Sequence, residues 1–451
     1  MNVIDETIAA IITPAGVGAV SIIRVSGPKS IEKISNIFIG KSNLKRAKSH
    51  TVHYGNIVNS EGEILDDVLV TIFKYGKSYT GEESVEISTH GNPFITKKIL
   101  EELLKYEVRL AEPGEFTRRA FLNGRIDLSQ AEAVIDVINS RTKASLKGAR
   151  NQLDGLLSKK VGTLRDGLIK TSSLIELELD FAEEDVEFVS LNNVKKDIEK
   201  IISEINFLLD SYRIGKVIRD GINVVFVGKP NVGKSSLLNI ILNQSRAIVS
   251  SIPGTTRDVI KEEISINGYL FKLIDTAGIR ITEDEIEKEG VLRSRKAVEE
   301  ADIVVFITEV NSEFPKELYD ELLDLTEKEK IINVTNKIDL KENTFKNSDI
   351  NISVKENIGI DNLIELIQKK SLTTDIFTEQ SAIVTNIRHK NLLEKSKANL
   401  EKAINSIDRN FSGEFIAVDL RNAEESLGEI IGVVTTDDIL NNIFSSFCIG
   451  K

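Results

Sequence analysis

Hydrophobic spacing changes three times along the chain, and each change marks a candidate domain boundary. Over residues 1–118, short apolar-polar alternations such as 19–25 and 67–73 lie between turn-rich pieces such as 13–18. That is the pattern of a compact α+β unit. From Leu128 the spacing becomes three, four and seven: Ala131, Val134, Ile135 and Ile138, then Leu146, Leu153, Leu157, Leu164, Leu168 and Ile175. It predicts helices and almost no strand. Gly148, Gly155 and Gly162 recur every seven residues in this stretch. Either they let another backbone approach one helix face, or they are tolerated in a well-packed helix.

At Ile222 the pattern switches to short buried runs. Strands are predicted at 222–227, 261–266, 270–274, 302–307, 331–335 and 351–353, separated by helix-length stretches such as 234–242. Alternating strand and helix imply a mostly parallel sheet covered on both faces. After residue 379 helical spacing returns with Leu393, Leu400, Ile404 and Ile407, then over 420–433 and 439–447. The two helical stretches are expected to pack together as one domain into which the sheet domain is inserted, since neither need bury its apolar stripe alone. The expected divisions are 1–118, 119–215, 216–379 and 380–451.

Composition fits that picture. A chain of 451 residues is too long for one core, and 41% apolar with 28% charged residues is ordinary for a soluble protein. No apolar run reaches the roughly 18 residues of a membrane span, and Asp5 and Glu6 stand where a signal peptide carries cations, so a cytoplasmic protein without membrane contact is expected. The single cysteine, Cys448, excludes an internal disulfide and a thiolate-rich zinc site. His50, His53, His90 and His389 show no ligand spacing, so an expected metal is a hard cation held by oxygen and phosphate. A net charge of −12 argues against an extensive nucleic-acid-binding surface and leaves room for a local basic groove.

The candidate chemistry begins at Gly228-Lys229-Pro230-Asn231-Val232-Gly233-Lys234-Ser235, a phosphate loop placed between a predicted strand and a predicted helix. Its glycines let the backbone wrap phosphates, whose charge is met by N–H groups and the helix N-terminus. Lys234 is expected to reach the β and γ phosphates and Ser235 to ligate Mg²⁺, with Ser236 following on the helix. Asp275-Thr276-Ala277-Gly278 ends a predicted strand, so Asp275 arrives on the magnesium side and Gly278 offers its N–H to the γ-phosphate. Asn336-Lys337-Ile338-Asp339 follows another strand. The Asp339 carboxylate accepts from two guanine donors that adenine lacks, which makes GTP the expected nucleotide. Ser353-Val354-Lys355 fits a final loop over the base.

Between these motifs, Ser250, Ser251, Ile252, Pro253 and Gly254 lead to Thr255 and Thr256, where a switch loop offers a hydroxyl to Mg²⁺; Thr256 is the first choice and Thr255 the second. A polar turn is the competing reading. Ile279 occupies the position where small GTPases place a water-orienting glutamine, so another group must do that work. The acidic stretch after it, 280–287, offers four carboxylates, Glu283, Asp284, Glu285 and Glu287, and their spacing does not choose among them.

With these residues assembled, the chain resembles the bacterial tRNA modification GTPases of the MnmE or TrmE family over essentially its whole length. The likeness extends to Thr13-Pro14-Ala15-Gly16-Val17-Gly18, Ile23-Arg24-Val25-Ser26-Gly27, Tyr79-Thr80-Gly81-Glu82, Pro113-Gly114-Glu115-Phe116-Thr117, Ala120-Phe121-Leu122-Asn123-Gly124 and the terminal Phe444 to Lys451, none of which generic GTPases share. The resemblance implies a multidomain α/β architecture: an N-terminal α+β folate-binding domain that also forms a homodimer, an all-α helical domain, and an inserted Ras-like P-loop G domain. It implies joint work with a flavin (FAD)-dependent partner of the MnmG or GidA type, in a heterotetramer, to install a carboxymethylaminomethyl-type group on the wobble uridine of tRNA. A 5-formyl- or methylene-tetrahydrofolate would supply one carbon.

It further implies that hydrolysis follows approach of two G domains, with K⁺ beside the phosphates held by Asn231, Ser250, Ile252 and Thr255. Among the four carboxylates it selects Glu287 to orient water. The folate site it implies uses Arg24, Glu86, Arg125 and Lys451. The resemblance makes Cys448 a thiol near the modification site with a catalytic role; read alone, it is equally a buried core residue. The cluster Lys41, Lys45, Arg46 and Lys48 is either a tRNA contact or a solvated loop. The rival from another class is a GTP-gated RNA-binding module that transfers no carbon; the large N-terminal domain and the lack of a basic C-terminal unit oppose it.

Overall fold

The computed structural model describes residues 6–180, 190–244, 261–275, 295–340, 348–371 and 382–450. The chain forms two compact units: residues 1–135, 161–166 and 424–451, and residues 136–160 and 167–423.

The first unit is built on a sheet of seven strands: β1 (Thr7–Ile11), β2 (Val20–Ser26), β3 (Phe38–Gly40), β4 (Thr51–Val58), β5 (Ile64–Phe73), β6 (Ser84–His90) and β7 (Val108–Leu110), in the order β3-β4-β5-β6-β2-β1-β7. All neighbours are antiparallel except β1 with β7. Period-two alternation sends Ile23, Val25, Val68, Val70, Ile72, Val85 and Ile87 to one face, where Ile31, Ile34, Ile99 and Leu103 from two helices cover them. The C-terminal chain returns to this unit: Leu440, Phe444 and Phe447 pack with Leu128 and Ala131, and Pro113 pairs with Ile449 in an isolated bridge. Gly114, at φ +69°, is where the chains approach; an added Cβ would lie 2.6 Å from the Phe444 carbonyl oxygen.

The second unit holds a six-stranded sheet: β8 (Ile222–Val227), β9 (Lys261–Ile266), β10 (Tyr269–Asp275), β11 (Ile303–Glu309), β12 (Ile331–Asn336) and β13 (Ile350–Asn351), in the order β13-β12-β11-β8-β10-β9. Only the β9–β10 pair is antiparallel. The central strand β8 is apolar on both faces. Val224 and Phe226 enter one core with Leu237, Ile241 and Leu363, while Val225 and Val227 enter the other with Val298, Phe306 and Leu322. A parallel central strand sandwiched by helices requires this. Helix Leu191–Asp220 ends at Gly221, whose φ of +82° turns the chain directly into β8.

The flanking helical stretches meet within this unit. Val384 N–H donates to Ser211 Oγ (3.0 Å), Thr385 Oγ1 donates to Gln152 Oε1 (2.9 Å), and Lys195 pairs with Asp408 (2.6 Å). Gly215 permits the contact, since a Cβ there would sit 2.0 Å from the Val384 carbonyl oxygen. The seven-residue glycine repeat, in contrast, does not line one helix face. Gly155 takes φ +82° between helices Lys143–Leu153 and Leu156–Asp180 and ends the first. Gly148 alone answers to close approach, with Ile218 Cγ2 at 2.9 Å from an added Cβ; Gly162 faces open space.

Candidate functional site

The nucleotide site forms where the carboxyl ends of β8, β10 and β12 meet the loops that follow them. Gly228 and Gly233 have φ of +158° and +103°, and added Cβ atoms would lie 2.3 Å from the Ile307 carbonyl oxygen and from Asn336 Nδ2. Two glycines thus let the loop bend back on β11 and on the base-recognition motif. Asn231, exposed at φ +64°, stands at the loop's tip beside the buried Val232. Lys234 is 7% exposed, and its Nζ donates to the carbonyls of Gly228 (2.7 Å) and Lys229 (2.9 Å). Burial depresses its pKa, partly countered by the Asp275 carboxylate. A phosphate chain in the loop would bring the missing negative charge.

Ser235 Oγ donates to Asp275 Oδ2 at 2.7 Å, with Ser236 exposed next to it on helix Lys234–Gln244. A hydroxyl and a carboxylate side by side at a phosphate loop are hard oxygen donors that suit Mg²⁺. Asn336 ties the two halves of the site together: Nδ2 donates to the Val232 carbonyl (2.8 Å), and Oδ1 accepts from Lys337 N–H (2.7 Å) and Val354 N–H (3.1 Å). Lys337, at φ +64°, pairs with Glu309 at the end of β11.

Asp339 is exposed, and its Oδ1 accepts from Ser353 Oγ at 2.6 Å. That hydrogen bond, aided by Lys355 and Lys337, holds its carboxyl below the usual range. The Ser353-Val354-Lys355 loop closes on itself through paired Ser353 and Ile358 backbone bonds of 3.0 Å, with Ser353 Oγ also accepting from Glu356 N–H (3.2 Å). Of the residues expected here, Ser250, Ser251, Ile252, Pro253, Gly254, Thr255, Thr256, Thr276, Ala277, Gly278 and Glu287 lie outside the described residues.

The first unit holds a second charged centre. Arg24 on β2 lies opposite Glu86 on β6 and donates to Glu86 Oε1 from Nε (3.0 Å) and Nη2 (2.8 Å). Its guanidinium sits over the rings of Tyr79 (5.3 Å) and Phe116 (5.5 Å). Tyr79 O–H bonds Thr117 Oγ1 at 3.0 Å, and desolvation of the phenol raises its pKa. Arg125 lies near by sequence motif more than by contact with this pair: its Nη1 donates to the Gly76 carbonyl at 3.4 Å, and its Cγ borders Gly81. Lys451 lies outside the described residues. Cys448 is exposed, so the buried-core reading of this thiol does not hold, and its carbonyl accepts from Gly114 N–H at 3.4 Å.

Sequence reading assigned no role to Tyr79, Phe116, Glu82, Glu115 or Arg119. Arg119, 1% exposed, donates to Glu82 (3.1 Å) and Glu115 (2.9 Å); Ser26 Oγ donates to Glu82 (2.7 Å) and pairs with Thr80 (2.7 Å). Burial would raise the Glu115 carboxyl, but hydrogen bonds from Arg109, Glu112 N–H and Arg119 outweigh it and lower its pKa. The Tyr79–Glu82 and Pro113–Thr117 motifs are therefore joined by one buried ionic network. Their co-occurrence in the quoted motifs was the available signal.

A glycine-gated phosphate loop on a 13-12-11-8-10-9 sheet, a serine–aspartate pair for a hard cation and an aspartate aimed past the base motif define a guanine-nucleotide-hydrolysing domain of the Ras-like P-loop class. Family models agree. "GTP-binding protein TrmE N-terminus" matches residues 7–125 and "MnmE helical domain" matches residues 128–448. The tRNA modification GTPase MnmE of Cytophaga hutchinsonii is 46% identical over 99% of this chain and 98% of its own, and that of Acetivibrio thermocellus 45% identical over 99% of both. The chain belongs to the MnmE family of tRNA modification GTPases. Among solved structures, Era of Aquifex aeolicus bound to GDP·AlF₄⁻ is 25% identical over 40% of this chain and 66% of that one, with a TM-score of 0.28. The G domain of T. maritima FeoB is 26% identical over 34% of this chain and 99% of that one, with a TM-score of 0.26. Scores this low add nothing to the fold read from sheet order. No helix among the described residues is long and apolar enough to cross a membrane.

Proposed function

We propose that this GTPase, with a flavin-dependent partner, modifies the wobble uridine of tRNA at C5 using a tetrahydrofolate one-carbon unit. The observation that carries the reading is the Arg24–Glu86 pair, side chains 17% and 24% exposed, with aromatic rings under the guanidinium. A cation for an acidic tail, a carboxylate for a pterin's N–H donors and two rings for stacking suit a folate. Arg125 and Lys451 would complete that set, and the C-terminal segment with Cys448 packs in the same unit.

Val52, Tyr54 and Leu69 are exposed on the sheet face that carries Thr71, Glu86 and Arg24 in register. This supports homodimerisation through the N-terminal domain, since lone apolar patches of this kind mark interfaces. In the G domain, Mg²⁺ bound by Ser235 and Thr256 would neutralise phosphate charge. K⁺ beside Asn231, Ser250, Ile252 and Thr255 would supply the cation that other GTPases take from an arginine. Lys234 holds the phosphates, and Glu287 orients the attacking water.

Purified protein tests this in two measurements. Stoichiometric binding of 5-formyltetrahydrofolate should vanish in Arg24→Ala, while GTP turnover should be much faster in K⁺ than in Na⁺ and collapse in Glu287→Ala. A chain that binds no folate sinks the one-carbon reading, and equal turnover in the two salts sinks the potassium one.

A further inference from the structure

The loops β3–β4 and β5–β6 leave the same end of the first unit's sheet, because Thr51 pairs with Ile72 and Phe73 with Ser84. They are tied to each other. His50 N–H donates to the Ile72 carbonyl (2.7 Å), Lys74 N–H to Ser49 Oγ (3.0 Å), and Lys74 Nζ to the Lys45 carbonyl (3.4 Å). Lys41, Lys45, Arg46 and Lys48 of one loop thereby join Lys74 and Lys77 of the other in one patch.

The sequence around this patch is free of acids. The chain carries 70 acidic residues against 58 Lys and Arg, yet none falls between Glu32 and Glu61 or between Asp67 and Glu82. Several lysines on helices have carboxylates one turn away, as in Lys97–Glu101, Lys390–Glu394 and Lys397–Glu401. Of the six cations here only Lys45 has one, Glu32 at 3.1 Å, among the described residues. The two acids that close the second loop face inward: Glu82 is buried on Ser26 and Arg119, and Glu83 accepts from Ile31 N–H. Leu44 is buried, and Tyr75, between Lys74 and Lys77, presents its ring at 82% exposure. Unpaired cations with a free aromatic ring suit a phosphate backbone with an unstacked base. A lipid surface would call for more apolar area.

We propose that this patch holds the tRNA phosphate backbone. The inference rests on the tRNA reading of the family and names the surface that serves it. The second loop carries the strand of RNA toward the Arg24–Glu86 centre, since Gly76 meets Arg125 and Tyr79 lies under Arg24.

The test uses the full chain, a tRNA transcript and a salt series. In Lys41→Gln/Arg46→Gln/Lys48→Gln/Lys77→Gln the Kd should rise at least about tenfold at low salt, and the slope of log Kd against log salt should fall by about three, at roughly 0.7–0.9 per lost contact. GTP turnover and folate binding should be unchanged. Arginine at the three lysine positions should preserve affinity and slope, and Lys97→Gln/Lys98→Gln should do nothing. An unchanged slope in the fourfold variant overturns the proposal, whether or not affinity drops; so does loss of an acidic protein partner with tRNA binding intact. If wild type binds tRNA with a steep slope that the variant shares, the patch is wrong and the family's tRNA reading stands. If wild type binds no tRNA, both fall.

Discussion

At the nucleotide site each functional group arrives within a few residues of a strand's carboxyl end, and its partners are mostly backbone atoms. At the N-terminal centre Arg24 meets Glu86 across 62 residues, and Arg119 reaches Glu82 across 37. One site is a set of local motifs brought together by a parallel sheet; the other is a set of side chains brought together by antiparallel register and a buried ionic network. Local motifs tolerate change around them, because backbone N–H groups and carbonyls are present in any sequence that keeps the loop. A side-chain network depends on every member being there.

The largest effect that would break this contrast is at Arg119. Replacing it with methionine leaves Glu82 and Glu115 buried with fewer counter-charges, and removing one partner of a buried ion pair costs about 3–5 kcal/mol. Denaturant titration should show that loss, while GTP affinity stays at the wild-type value because the phosphate loop lies in the other compact unit. A stability within about 1 kcal/mol of wild type would mean that the network is not what holds the two motifs together.

The same contrast explains what the chain disclosed before its structure was known. The six strands around the phosphate loop were legible to within a residue or two, since buried parallel strands are continuous apolar runs bounded by turn residues. Lys234, Ser235, Asp275, Asn336 and Asp339 were legible because each chemistry sits in a short fixed spacing. Arg24 and Glu86 were legible only through family resemblance: nothing local marks a strand charge whose partner is 62 positions away. Arg119 was hidden for the same reason. Both readings of the glycine repeat presume one continuous helix, and Gly155 in the left-handed region ends it.

Next in size is Asp339→Asn. An amide cannot accept from both guanine donors, so GTP affinity should fall on the order of 100-fold, and a xanthine nucleotide, with a carbonyl where guanine has its amine, should gain. Competition binding with both nucleotides measures this. Retained preference for GTP would show that the carboxylate does not face the base, and that local spacing overstated the site.

The smallest effect sharpens the comparison from within the nucleotide site, where Ser353 is a side-chain dependence in an otherwise backbone-built loop. Its hydroxyl donates to Asp339, and losing one such bond costs about 1 kcal/mol, a several-fold rise in Kd for GTP. The pH dependence separates two roles. Asp339 has its pKa lowered first by Ser353, so its binding-competent carboxylate persists to lower pH in wild type than an ordinary aspartate would allow. In Ser353→Ala the pKa returns toward that of an ordinary aspartate, and the acid-side loss of GTP affinity should begin at higher pH. Isothermal titration across that acid range distinguishes the cases. A shifted acid limb assigns Ser353 to the electrostatics of base recognition; a uniform loss at every pH assigns it to closing the loop through Glu356 N–H instead.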